Sequence, residues 1–356
     1  MSKQKRKRIF LISNMYPSDN NVRFGIFVKK CHETLSKRFE VKLLTMTRKE
    51  GLLKKIFGYT VLFLKVFLLL FSVKKRDLVY VHFPLYFPFL LNLYIWRGIP
   101  LILNFHGSDA VFDTNLKKFF LKPLRPVVSN CQKIIVPSTF FRNKIIDIFG
   151  VKEDKCFVYP SGGVDPRIFY PRKKKSDELV FGFVSYFTYR KGWWIFLEAL
   201  SILKTKNGFP AFKAIIVGDG PDERKILKEI EERKINVSVI PSVAHKRLAD
   251  IFSQFSVFVF PTYMDESLGL VGIEALMCGV PVISTNIAGP TGYIKNGYNG
   301  FFFERENSGD LAKKLIAYQK LDKNMVKQFK ENAVTSAKRY ESQKVEMEFL
   351  KFMEKL

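Results

Sequence analysis

Two doubly wound α/β domains are the fold class this sequence predicts, and three observations predict it. Short β-rich apolar runs alternate with helical stretches, a rhythm that produces parallel sheets. The rhythm runs through the first half, stops at a proline- and lysine-rich segment, and resumes. The chain has 356 residues, enough for two domains of roughly 150 residues each.

Ile9–Ser13 reads as the first buried strand, and a loop follows over Asn14 to Gly25. Ile26 to Phe39 has helical apolar spacing through Phe27, Cys31 and Leu35, and Val41–Thr45 reads as the next strand. Leu78–His82, Leu101–His106 and Lys133–Pro137 extend the first series. The second series is Val180–Val184, Ala214–Val217, Val237–Ile240, Val257–Pro261 and Pro281–Thr285. Between them, Asp165 to Glu178 carries Pro166, Pro171 and the run Arg172-Lys173-Lys174-Lys175, and reads as a linker. Lys338 to Leu356 has the pattern of a charged amphipathic helix. The expected division is 1–170, 171–335 and a terminal helix over 336–356.

The formal charge of +26 is lopsided. Residues 1–175 hold 34 Lys and Arg against 11 Asp and Glu, and residues 176–356 hold 25 against 22. The first half is therefore expected to face an anionic partner, nucleic acid or an acidic membrane surface. No recognisable nucleic-acid motif accompanies the charge, so no nucleic-acid partner is expected. Cys31, Cys131, Cys156 and Cys278 are far apart and form no C-x-x-C pair, which reads as free thiols in a reducing compartment. The apolar run after the basic start is too short for a secretory signal, so a cytoplasmic protein is expected.

The most informative segment runs from Asp265 to Pro281. The strand Val257–Pro261 leads into a loop carrying Glu266, Ser267, Leu268 and Gly269, and a helix from Leu270 to Met277 carries Glu274. Backbone N–H groups at such a helix start suit a phosphate, and carboxylates suit sugar and ribose hydroxyls. The segment resembles the E-x7-E signature of retaining glycosyltransferases of family 4, which have the GT-B fold of two Rossmann-like domains facing a central cleft. Further motifs match that family in order. Arg23-Phe24-Gly25 resembles its N-terminal glycine loop, and Asn104 to Asp109 its H-G-x-D segment. Tyr159 to Asp165 with Phe169, Phe181 to Gly192, and Val217-Gly218-Asp219-Gly220-Pro221 follow in turn.

The resemblance implies roles for these positions. Glu266, Lys191 and His106 would form the catalytic group, with Glu266 on the donor sugar hydroxyls and Lys191 on the departing diphosphate. Gly25, Arg190, Gly218, Gly220, Pro221, Ser267, Leu268, Gly269, Leu270, Val271 and Glu274 would surround the donor, with Glu274 on the ribose. Two positions depart from the family pattern. Tyr186 stands where an arginine is usual, and Gly292 where a glutamate is usual. Arg190, beside Lys191, would restore the missing cation. His82 also ends a strand, but Phe83-Pro84 after it signals a turn, so it reads as structural.

No D-x-D, H-E-x-x-H or Cys/His cluster occurs, so neither a catalytic metal nor a cofactor is expected. No G-x-G-x-x-G occurs either, which disfavours a dinucleotide enzyme. The expected activity is transfer of a sugar from a nucleoside-diphosphate sugar (UDP or GDP) to a glycan or polyprenyl-linked acceptor, in bacterial polysaccharide assembly. A nucleotide-sugar epimerase on the same fold, or a degenerate binding protein, is the alternative. Leu52 to Arg76 has an apolar stretch of only about 13 residues, interrupted by Lys65 and flanked by lysines. That is short of the roughly 20 residues a membrane span needs. It fits an in-plane element on anionic lipid, or a core helix of the first domain.

Overall fold

The computed structural model describes residues 7–22, 24–173 and 176–356. The basic start at 1–6, Arg23 of the first loop, and Lys174 and Lys175 of the linker lie outside them. Contacts divide the chain into two units, Met1–Gly162 with Val345–Leu356, and Gly163–Lys344. The division falls at Gly162 rather than at 170, and the segment that rejoins the first unit begins at Val345 rather than at 336.

The first unit is one parallel sheet of β1 (Arg8–Tyr16), β2 (Glu40–Thr47), β3 (Leu78–His82), β4 (Leu101–Asn104), β5 (Lys133–Val136) and β6 (Cys156–Val158). Their order is β2-β1-β3-β4-β5-β6. Its helices are α1 (Ile26–Ser36), α2 (Leu52–Ser72), α3 (Pro88–Trp96), α4 (Asn115–Asn130) and α5 (Thr139–Phe149). Alternate residues of each strand feed two cores. Phe10, Ile12, Val79 and Val81 pack with Leu62 and Val66 of α2 and Leu91 of α3. Ile9, Leu11, Leu78 and Tyr80 pack with Val28, Cys31 and Leu35 of α1. Both faces of the sheet are covered, which is why the inner strands β3 and β4 are almost wholly apolar, whereas the edge strand β2 carries Glu40 and Lys42.

Helix α2 corrects one expectation. It runs unbroken for 21 residues and is long and apolar enough, by length and composition, to cross a membrane. Lys54, Lys55 and Lys65 sit inside it without ending it, because lysine is a good helix former and costs a helix little.

The second unit is a parallel sheet of β7 (Leu179–Val184), β8 (Phe212–Gly218), β9 (Val237–Pro241), β10 (Val257–Phe260), β11 (Val282–Thr285) and β12 (Gly300–Phe303). The order is β12-β11-β10-β7-β8-β9. It carries α6 (Trp193–Thr205), α7 (Glu223–Arg233), α8 (His245–Phe252), α9 (Leu270–Met277), α10 (Ser308–Gln319) and α11 (Lys323–Ala337). The last helix, α12 (Ser342–Glu354), sends Val345, Phe349 and Met353 into the same core as Ile9 and Tyr80 of the first unit.

Strands β6 and β12, the outermost on one edge of each sheet, are absent from the sequence reading. β6 is only three residues long, and β12 begins on Gly300, whose added Cβ would lie 1.9 Å from the Val282 carbonyl oxygen. Pairing of Gly300 against Val282 needs that missing side chain. In each sheet the winding reverses once, at β1/β3 in the first unit and β7/β10 in the second. Open parallel sheets bind ligands beyond the carboxyl ends of the strands at that reversal.

Candidate active site

The second unit gathers its candidate residues at the β7/β10 reversal. After β7 the chain makes a short 3-10 turn at Tyr189–Lys191 and enters α6 through Gly192, at φ +75°. After β10 it loops from Pro261 to Gly269 and enters α9. Lys191 Nζ and the Glu266 carboxylate form a direct ion pair between these two loops. Both side chains are largely buried, at 22% and 13% exposure. Thr262 Oγ1 donates to the same Glu266 oxygen at 3.2 Å. The main chain of Glu266 is held as well, because its carbonyl accepts the Gly289 N–H at 3.0 Å.

Gly269, at φ +75°, starts α9, and among the described residues no side chain caps that end. The first amides, at Leu270 and Val271, are thus available to an anion, as the helix dipole favours. Tyr293 Oη donates to the Gly269 carbonyl at 2.9 Å and braces the turn. Ser267 is half-buried, but the Leu268 side chain belongs to the core, leaving only its backbone to the loop.

Gly218 and Gly220, at the end of β8, have a clear reason to be glycine. A Cβ on Gly218 would sit 1.9 Å from the Ser185 carbonyl oxygen, and one on Gly220 2.5 Å from that of Phe187. They let the β7 and β8 loops touch, tied by Phe187 N–H to Asp219 O at 2.7 Å. Pro221 is exposed beside them. Arg190 is exposed, and its carbonyl accepts the Tyr263 N–H at 3.3 Å. Tyr186, at the position where an arginine was expected, is 58% exposed. At the other departure, the carbonyl of Gly292 accepts from the Arg339 guanidinium.

Glu274 is not part of the Lys191–Glu266 pair. It is buried and accepts from His245 Nε2 at 2.8 Å. Phe169 packs edge-on against that imidazole at 4.8 Å. His245 was not singled out in the sequence. The signal for it, one histidine at the start of a helix, is too common to read without the fold.

In the first unit, His106 follows β4 and Gly25 precedes α1. Gly25 takes φ +76°, and a Cβ there would lie 2.8 Å from the Met15 backbone. The tight approach turns α1 so that Phe27 covers His106 at 4.5 Å. His82, read above as structural, is the direct partner of His106, with Nδ1 to Nε2 at 2.7 Å and the rings stacked. His82 Nε2 is buried without a hydrogen-bond partner among the described residues. An orphaned N–H is rarer than an orphaned acceptor, so the shared proton belongs on His82 Nδ1. That leaves His106 with its own proton on Nδ1. Burial drives both imidazoles to low pKa, His106 to about 3, so the pair is neutral at pH 7.

Asp109 lies beside them, accepting the His106 N–H at 2.8 Å, while its second oxygen has no partner among the described residues. Burial raises its pKa to about 7, against the lowering effect of the backbone N–H groups of His106, Asp109 and Gly107. A folded pKa above the unfolded value means the contribution is full below about 4 and is lost as pH rises through 7. Asp109→Asn is therefore expected to become more destabilising on acidification. The stability gap to the wild type should widen by about 1.4 kcal/mol per pH unit between pH 7 and pH 4. Urea unfolding across that range checks it.

Among the described residues, no group of three His, Cys, Asp or Glu is placed to hold a metal ion.

Comparison with known proteins supplies the family. The family model for glycosyl transferases group 1 matches residues 165–335, and that for glycosyltransferase family 4 matches residues 22–168. An uncharacterized glycosyltransferase of Methanocaldococcus jannaschii is 30% identical over 267 residues, 73% of this chain and 69% of that protein. The chain belongs to the family 4, group 1 glycosyltransferases. This glycosyltransferase is also 25% identical to an N,N'-diacetylbacillosaminyl-diphospho-undecaprenol alpha-1,3-N-acetylgalactosaminyltransferase of Campylobacter jejuni, over 70% of this chain and 67% of that one. Against the D-inositol 3-phosphate glycosyltransferase of Stackebrandtia nassauensis the match is 27% over 53% of this chain and spans only 46% of that protein. Anabaena HepE, solved in complex with UDP, superposes with a TM-score of 0.75 at 17% identity, covering 98% of this chain and all of that one. At that identity the likeness is one of fold, the two-domain GT-B fold of the glycosyltransferases.

Proposed function

We propose that this glycosyltransferase moves a hexosyl group from a nucleoside-diphosphate sugar to a glycan or polyprenyl-linked acceptor, with retention of anomeric configuration and without a metal. The observation that carries the reading is the Lys191–Glu266 pair at the β7/β10 reversal, beside the uncapped start of α9. A cation and two open amides suit the diphosphate, whose charge grows as the glycosidic bond breaks. Glu266 suits the sugar hydroxyls, and Glu274 the ribose once His245 yields one of its oxygens. His106, neutral with its proton on Nδ1, has a single N–H left to donate. The name of the Campylobacter relative supports a polyprenyl diphosphate acceptor and hence bacterial surface-polysaccharide assembly.

The test is a screen of UDP- and GDP-sugars with polyprenyl-diphosphate-linked acceptors, in buffer with and without EDTA. The expected result is acceptor-dependent nucleotide release that EDTA leaves unchanged, and a product whose NMR coupling matches the donor anomer. Inverted product, or loss with EDTA, overturns the corresponding part. Sugar interconversion without acceptor would instead mark an epimerase. The basic first unit supports a peripheral position on the cytoplasmic face of the membrane, where such an acceptor resides. Binding to anionic vesicles at low salt is its minimum requirement.

A further inference from the structure

Three consecutive helices of the first unit leave large apolar side chains in water. Phe57 and Phe71 of α2 are each 70% exposed, Trp96 of α3 is 86% exposed, and Phe119 of α4 is 63% exposed. The three helices are tied together. Tyr94 Oη of α3 donates to the Val66 carbonyl of α2 at 2.5 Å, and Asn92 Nδ2 of α3 donates to the Pro123 carbonyl of α4 at 2.7 Å. The rings of Phe89 and Phe119 lie 6.3 Å apart across the α3–α4 seam. An exposed apolar surface of this kind marks an interaction site.

The charge around the patch selects the partner. Helices α2, α3 and α4 carry seven Lys and Arg and no Asp or Glu. Lys54, Lys55, Lys65, Lys118, Lys122 and Arg125 are all exposed. A second copy docking through the same face would set these cations against one another. An anionic lipid surface offers both the apolar phase and the opposite charge.

Although α2 is long enough to cross a bilayer, its packing opposes that. Leu62, Val66, Leu69 and Leu70 are buried in the core beneath the first sheet, and the central strand β3 begins at Leu78, soon after the helix ends. A spanning α2 would strip that core. We infer that α2, α3 and α4 form a monotopic wedge lying in the membrane plane, its aromatic side chains in the lipid interface and its lysines among anionic headgroups. The inference deepens the peripheral reading proposed above. It adds a salt-resistant apolar contribution that basic charge alone would not supply.

The experiment uses the full chain and phosphatidylcholine–phosphatidylglycerol vesicles, with Trp96 as the reporter. Trp193 is buried in the second unit, and subtraction of the W96F spectrum removes its signal and that of Trp194. The expected results are a blue shift of Trp96 emission, stronger quenching by lipids labelled near the glycerol than at the chain end, and residual binding in high salt. Phe57→Ser with Phe71→Ser should weaken vesicle binding about tenfold and leave circular dichroism unchanged, since both rings are exposed. Binding that high salt abolishes completely, with no quenching of Trp96, overturns the wedge and leaves the peripheral reading standing. No binding even at low salt overturns both. Dimerisation that the double variant abolishes would make the patch a self-interface and sink the proposal.

Discussion

Glu266→Gln is expected to lose sugar transfer while binding free nucleoside diphosphate at least as tightly as the wild type. The reason is the ion pair. Lys191 is engaged by the Glu266 carboxylate when no donor is bound, so an incoming diphosphate competes with that carboxylate for the same ammonium. Neutralising Glu266 frees the cation for the phosphate and removes the acceptor that would orient the sugar. Lys191→Ala should behave in the opposite sense. It should weaken binding of UDP or GDP about tenfold or more and lower kcat/KM by about 10²–10³-fold, the scale for removing one group that stabilises developing charge. Neither change should unfold the unit, because Thr262 Oγ1 still bonds the Glu266 position and both side chains reach solvent. Titration calorimetry with UDP and GDP reads the two directions. Identical affinities in both variants and the wild type would make the pair structural.

Gly192→Ala is expected to have the largest effect on stability and to remove activity with it. Gly192 takes φ +75°, and an added Cβ would lie 2.0 Å from the Pro261 carbonyl oxygen. The left-handed conformation alone costs an L-residue about 1–2 kcal/mol. The clash is worse, because its partner is backbone and the rigid end of β10. To relieve it, the Lys191 turn must move away from the loop that carries Thr262 and Glu266, which breaks the ion pair as well. The checks are a lowered thermal midpoint, a loss of nucleotide binding, and no rescue by higher donor concentration. A variant with wild-type stability would show that the two loops are not in contact in solution.

Much of this arrangement was legible before the structure. The helix read over Leu270 to Met277 is α9, and the apolar runs of both series are strands because buried parallel strands need apolar residues on both faces. Lys191 and Glu266, 75 positions apart, were each singled out by the motif around them, and each lies in a loop between a strand and a helix. Other features were hidden for identifiable reasons. His82 looked like a residue before a proline turn, and its stacking on His106 depends on β3 and β4 being neighbours in the sheet. His245 depends likewise on α8 lying against α9. The apolar count over Leu52 to Arg76 stopped at its lysines, whereas the helix continued past them.

By itself the sequence determined the alternation of strands and helices, the concentration of positive charge in the first half, and the loops on which Glu266 and Lys191 sit. These are local properties, set by side-chain pattern and turn residues within a few positions. Only the tertiary structure decided which loops meet. The winding of the second sheet reverses between β7 and β10, and that reversal, not sequence proximity, brings an ammonium to a carboxylate. Tertiary packing likewise decided which apolar side chains of α2 are spent on the core and which stay exposed, because a helix with apolar residues on more than one face does not carry that choice in its own residues.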